Sequence, residues 1–251
     1  MRAGREPPGR PGGPARRAGE PAPPEEPPES GVEQAARLAR HSRASTWLIV
    51  AVLMIAGIAI GARAGIQARK GPLVRPAHAL GPNQGEPLGK PSAPVLVEEY
   101  GDFQCPACAR FQSVVGPTVR QLADRGRIRF VFHEQPILGR ESVLAANAAT
   151  CAGDQGKFWP YHNLLYAGQA PENSGALTAD RLVQLGARVG ISGTAFSSCV
   201  RGGTYEPWLR QVTNQGSVRG VDTTPTFFVD GERVDDIATP QALLQAVAGR
   251  S

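Results

Sequence analysis

Cys105 and Cys108 are separated by Pro106 and Ala107. Two thiols one helical turn apart can close a disulfide, and a pair spaced this way serves either redox chemistry or half of a metal site. The surroundings favour redox. Val95-Leu96-Val97 upstream reads as a strand, and Phe111, Val114, Val115, Thr118, Val119 and Leu122 recur at spacings of three and four, the period of a helix. The pair therefore stands where a strand hands over to a helix. Pro106 suits the first helical position, where its missing N–H costs nothing. Cys105 then sits at the helix N-terminus, where unpaired N–H groups and the helix dipole favour a thiolate. Cys108, one turn further in, is shielded and reads as the resolving thiol. A low pKa at Cys105 stabilises the reduced pair, which makes the disulfide the stronger oxidant.

The other two cysteines are Cys151 and Cys199. Four cysteines allow three pairings. The simplest keeps the close pair together and bridges Cys151 to Cys199. A bridge closing a loop of that size stabilises a domain by about 4 kcal/mol on a chain-entropy account, and it persists only in an oxidising compartment. Two buried free thiols are the alternative. A four-cysteine zinc site needs a second closely spaced pair, which the sequence lacks, so no metal is expected.

These residues are positioned by less than the whole chain. Residues 1–46 hold nine prolines and six glycines, with hardly a large apolar residue before Leu38. Such a stretch buries too little apolar surface to offset its ordering entropy, so residues 1–45 are expected to be a disordered tail. Trp47 to Ala62 is uncharged and apolar. Extended to residues 46–64, it is just long enough for a membrane span, with Trp47 as an interfacial anchor. A cleaved signal peptide competes, because Ala62-Arg63-Ala64 loosely resembles a cleavage site. The long preceding region and the arginine within that motif favour an uncleaved signal anchor. Arg37, Arg40 and Arg43 on one side nearly balance Arg63, Arg69 and Lys70 on the other, so charge alone does not orient the segment. If it exports the chain downstream of it, the N-terminus is cytoplasmic and the cysteines are extracytoplasmic, at the cell membrane. Residues 65–94, with six prolines and five glycines, read as an extended linker.

That leaves 95–251 as one domain, long enough for a real core. It carries 14 Lys+Arg against 15 Asp+Glu, whereas residues 1–94 carry 13 against 7. The basic character belongs to the tail and flanks, so nothing marks a nucleic-acid-binding face. Within the domain, Ile128 to Phe132 reads as a second strand. Ser142 to Cys199 reads as a block of helices from the spacing of Leu144, Ala145, Ala148 and Ala149 and of Leu182, Leu185 and Val189. Trp208, Leu209 and Val212 suggest one helix more. Thr226–Val229 is a strand, Asp230-Gly231 a hairpin turn, Arg233-Val234 the returning strand, and Pro240 opens a final helix.

This order resembles the thioredoxin fold with an inserted helical domain at about 140–200, as in the DsbA-like thiol:disulfide oxidoreductases, above all their membrane-anchored bacterial members. The resemblance rests on Glu99-Tyr100-Gly101-Asp102-Phe103-Gln104-Cys105-Pro106-Ala107-Cys108, on Phe130-Val131-Phe132 with Pro136, on Lys157-Phe158-Trp159-Pro160-Tyr161-His162, and on Thr223-Thr224-Pro225-Thr226-Phe227-Phe228-Val229-Asp230-Gly231. It implies that Pro225 is cis and faces the cysteines, and that Thr224 offers its backbone to a bound peptide. It places Glu99 where such proteins keep a buried acid, a possible proton relay to Cys108. Glu98 points to the opposite face of the strand, and one of the two is expected to be solvated. His133 and His162 are expected to be packing or surface residues, and Phe158, Trp159 and Tyr161 to be core.

Ala107 departs from the family members that carry His there. It offers the thiolate neither cation nor hydrogen bond, so the expected disulfide is less oxidising than the roughly −120 mV of that type. The leading expectation is an extracytoplasmic protein disulfide oxidase with no cofactor beyond its redox-active disulfide. Its partners are exported proteins with free thiols and, as the resemblance implies, a membrane reoxidant of DsbB-like or vitamin K epoxide reductase-like type. An isomerase or reductase on the same chemistry is the alternative, and 65–94 is too short for the dimerisation domain that isomerases add. A tethered peptide-binding or chaperone module with structural cysteines is a third reading. No Gly-x-Ser-x-Gly elbow supports a serine hydrolase.

Overall fold

The computed structural model describes residues 53–54, 73–78, 80–235 and 237–250. Leu53 and Met54 are helical and exposed; the tail 1–45 and the remainder of the predicted span 46–64 lie outside the described residues. Among the described residues no helix is long and apolar enough to cross a membrane.

Five strands make one sheet in the order β1-β3-β2-β4-β5: β1 Glu86–Leu88, β2 Val95–Gly101, β3 Ile128–Glu134, β4 Thr226–Val229 and β5 Glu232–Val234. β2 and β3 are parallel and the other neighbours antiparallel. A parallel pair needs a long crossover, here α1 (Pro106–Val114) and α2 (Gly116–Asp124). Between β3 and β4 come α3 (Arg140–Gly153), α4 (Phe158–Ala167), α5 (Ala179–Arg188), α6 (Thr194–Gly202) and α7 (Glu206–Val218). The β4–β5 hairpin leads to α8 (Pro240–Val247), capped by the Thr239 hydroxyl, which accepts from Ala242 N–H.

Helices cover both faces of the sheet, which is why β2 and β3 are buried almost throughout. On one face, Phe132 meets Phe158 and His162 of α4 at ring-centroid distances of 6.1 and 4.6 Å, and Phe227 meets Phe111 of α1 at 4.5 Å. On the other, Tyr100 stacks on His133 at 4.3 Å and the Arg219 guanidinium, just past α7, lies 3.8 Å over the Phe228 ring. His133 and His162 are both buried in this packing.

The structure corrects three sequence expectations. The linker read over 65–94 is partly sheet: β1 pairs with β3, Glu86 opposite Phe132 and Leu88 opposite Phe130. Its proline is tolerated because β1 lies on the edge, where one side of the strand needs no N–H, and the Pro87 carbonyl accepts from Trp159 Nε1–H at 2.8 Å. The single helix read through Phe111 and Leu122 is two, parted at Val115. Pro117 has no N–H to give to the preceding turn, and Val114 turns out to solvent. Glu98 and Glu99 are both buried, at 1 % and 0 % exposure; alternation along a strand separates them onto two faces, but both faces are covered.

Two ties brace the helical block. Cys151 of α3 and Cys199 of α6 form a disulfide across a separation of 48 residues. Upstream of the sheet, His78 bridges two carboxylates, with Nδ1 2.9 Å from Asp154 Oδ1 and Nε2 2.6 Å from Glu86 Oε1. Its ring lies on Gly153 at the end of α3, where a Cβ would come within 2.4 Å of it.

Candidate active site

The sequence places Cys105 and Cys108 at the end of a buried strand, and the loop between is held from three sides. Asp102 is buried and accepts the backbone N–H groups of Gln104, Ile137 and Leu138 at 2.8 to 3.0 Å. Gln104, also buried, donates to Ser142 Oγ and accepts Asn173 N–H at 2.7 Å. Gln169 donates to the carbonyls of Phe103 and Cys105 at 2.9 and 3.0 Å. The helical block thus fixes the backbone that presents the cysteines. Asp102 and Gln104 stand inside the stretch the sequence singled out, but nothing in their spacing reveals a role. Gln169 lies 64 residues from Cys105, with no local signal at all.

Cys105 is the N-cap of α1, with Pro106 at the first helical position and Ala107 beside it, both exposed. Its thiol is pulled down to about 6. The largest cause is the Cys108 S–H, which donates to the Cys105 sulfur; burial opposes it; the Thr224 side chain and the N–H groups of Cys108 and Ala107 then add to the lowering. Thr224 also works the other way. Its carbonyl oxygen lies 3.1 Å from Cys105 Sγ and accepts the proton of the neutral thiol. The donors prevail because there are several of them around one sulfur, as is usual for a thiolate at a helix N-terminus.

Cys108 is fully buried, and its thiol is pushed far above the ordinary range by that burial, then by its bond to Cys105 and by the charge of the Cys105 thiolate. The two sulfurs are unbridged. The Thr224–Pro225 peptide is cis and closes over Cys105, so residues 119 apart in sequence form one site. Thr224 N–H has no hydrogen-bond partner among the described residues. Beside Cys105 opens a groove of about 520 Å3 lined by Pro106, Arg110, Phe111, Pro225 and Phe227.

Glu99 lies on the α1 face of β2 with no exposure. Burial, then the charge of the Cys105 thiolate, raise its carboxyl well above the usual range, against a single bond from Gln112 Nε2–H at 2.7 Å. Its Oε1 has no hydrogen-bond partner among the described residues. A neutral carboxylic acid, able to give or take one proton, therefore stands under the redox pair. Glu98, one residue away, is held as an anion. It accepts from both Arg219 Nη atoms at 2.8 Å, from Asn83 at 2.8 Å and from His133 at 3.0 Å. Burial works against its charge, but the hydrogen bonds from His133, Arg219 and Asn83 win and hold it at about 2. No spacing in the sequence marks this buried ion pair on the rear of the sheet.

A family profile described as Thioredoxin matches residues 83–248. The chain belongs to the thioredoxin family. Among its relatives, the disulfide bond formation protein D of Bacillus subtilis is 28 % identical over 160 residues, 62 % of this chain and 72 % of that protein. The Na(+)/H(+) antiporter NhaA 1 of Salinispora arenicola is 32 % identical over 206 residues, 81 % of this chain but 30 % of the antiporter; the chain thus spans under a third of the length of that relative. Among solved structures, oxidised BdbD from Bacillus subtilis superposes with a TM-score of 0.62 at 24 % identity, covering 68 % of this chain and 94 % of that one. Oxidised DsbA from Mycobacterium tuberculosis gives 0.56 at 27 % identity, with 68 % and 90 % covered. Within the thioredoxin family the chain is therefore DsbA-like, with relatives and neighbours that are thiol:disulfide oxidoreductases.

Proposed function

We propose that this chain is a protein disulfide oxidase that passes its Cys105–Cys108 disulfide to exported proteins bearing free thiols. The observation that carries the reading is the unequal pair: one sulfur held as a thiolate near pH 6 at the groove, the other buried and strongly proton-binding.

A substrate thiolate attacks Cys105 Sγ. The Cys105–Cys108 bond breaks, a substrate–Cys105 disulfide forms, and Cys108 departs with the electron pair. The proton it then takes is at hand on Glu99. The substrate's second thiolate attacks its own sulfur in the mixed disulfide, and Cys105 leaves as a stabilised thiolate. Two electrons have passed from substrate to enzyme. A thiolate this stable is a good leaving group and favours the reduced enzyme. A membrane reoxidant of DsbB-like or vitamin K epoxide reductase-like type restores the disulfide. Residues 46–64 hold the chain at the cell membrane with the N-terminus cytoplasmic and the redox domain outside. The Cys151–Cys199 bridge supports that side, since structural disulfides persist in oxidising compartments.

Cys108→Ala leaves Cys105 as a lone thiolate that attacks disulfides already formed in exported proteins; one substrate sulfur stays joined to Cys105, the other leaves as a thiolate, and no Cys108 is there to displace the bond. The variant is expected to accumulate mixed disulfides between Cys105 and exported proteins, seen as reductant-sensitive adducts on gels. Their absence in growing cells would overturn the substrate assignment.

A further inference from the structure

We propose that the groove beside Cys105 prefers thiol-bearing segments with an acidic residue near the cysteine, and that Arg110 is the residue that reads it. The inference rests on the oxidoreductase reading above and names the substrate class of that same site.

The groove offers three things. Its floor is apolar: Phe111 and Phe227 sit with ring centroids 4.5 Å apart, flanked by Pro106 and Pro225. At its edge the Thr224 N–H has no partner among the described residues, and Pro225 after it has no N–H. Among the described residues of its lining Arg110 carries the charge. The complement is an extended segment with an apolar side chain for the floor, a carbonyl for Thr224 and a carboxylate for Arg110.

Arg110 is free to take that carboxylate. It is exposed, four residues after Pro106 on α1, and among the described residues none pairs with its guanidinium; only its carbonyl is used, by Ser113 Oγ–H. Several other arginines of the domain are engaged, and Arg110 differs from the rest of the unpaired ones in lining the groove. Arg140 holds Glu206, Arg219 holds Glu98, Arg201 holds Asp180 and Arg250 holds Glu232. A lone cation on the wall of an apolar groove attracts an anion more than one in open water, because the apolar walls exclude part of the screening solvent. Exposed pairs give modest energies, so this is a preference among substrates and not an absolute filter.

The test uses two synthetic peptides, each with one cysteine and a neighbouring Phe, one flanked by Glu and the other by Lys. Their rates of mixed-disulfide formation with the oxidised full-length protein are divided by their rates with a small neutral disulfide, which removes differences in peptide thiol reactivity. The Glu-to-Lys ratio is then independent of how reactive Cys105 is in each variant. A ratio of about three to five is expected for the wild type at low salt. It should fall to about one in Arg110→Gln and invert in Arg110→Glu, and it should collapse at about 0.5 M salt. Ratios that do not respond to Arg110→Glu would overturn the proposal while leaving the oxidase reading intact. If neither peptide reacts, both readings fall.

Discussion

Glu98 and Glu99 are neighbours on one strand, equally buried, and in opposite protonation states. Glu98 meets Arg219, His133 and Asn83 and keeps its charge. Glu99 meets one amide and a thiolate and keeps its proton. Burial alone disfavours the charged form of both. What separates them is the set of donors on each face of the sheet. The rear face, under α7, is built to satisfy an anion completely. The front face, under α1, leaves a carboxyl short of donors beside the redox pair. One carboxyl is buried with its charge and the other with its proton, and the partners on each face separate them where residue type does not.

The comparison can be broken most severely from the rear. Glu98→Ala leaves Arg219 stacked on Phe228 without its counter-charge, and the loss of a partner from a buried pair costs about 3 kcal/mol. Urea denaturation at pH 7 measures it, and exchange chemistry at Cys105 should be little changed once the protein is folded. The same residue gives a pH signature. Because its folded pKa is depressed, its contribution is complete above about pH 4.5 and is lost as pH falls from there toward about 2. Wild type should therefore lose stability over that interval, and Glu98→Ala should lose less.

Breaking the front face acts on rate. Glu99→Gln retains the shape but has no proton to move, and the expected cost is about tenfold in mixed-disulfide formation at pH 7. Stability should move the other way. A carboxyl whose folded pKa is raised stabilises fully below about pH 4.5 and loses that contribution as pH rises. Replacing it is expected to raise stability at pH 8 in urea denaturation, and a fall would refute the neutral acid. The smallest effect belongs to Gln112→Leu. Taking away the one donor to Glu99 makes its proton harder to remove, so the pH profile of the exchange rate should shift upward by about half a unit. An unshifted profile would mean that Gln112 does not hold Glu99 during turnover.

The residues that meet at the sulfur were legible because each obeys a local rule. Cys105 and Cys108 follow a strand and open a helix at Pro106, and Thr224-Pro225 precedes an apolar strand that ends in Asp230-Gly231. What escaped depends on distant partners. Glu98 looked like the solvated half of an alternating pair, because no rule of the strand announces Arg219, 121 residues away. The strand at Glu86–Leu88 was hidden by the prolines around it, which mark both linkers and sheet edges. Gln169 and Asn173, which hold the redox loop from the helical block, lie in a stretch that reads only as a connection. Pro117 parts two helices whose apolar spacing runs on across it, so periodicity alone reads one helix.

His78 ties the segment before the sheet to the domain. It is clamped between Glu86 on the edge strand and Asp154 just past α3, and Ala77 N–H adds a bond to the same Asp154 carboxylate at 2.9 Å. Tension on this segment is shared between the edge strand, through Glu86, and the end of the helix that carries Cys151, which is bridged to α6. In the sheet order, β3 stands between that edge strand and β2, so the strand that leads to Cys105 takes no direct bond from this tie.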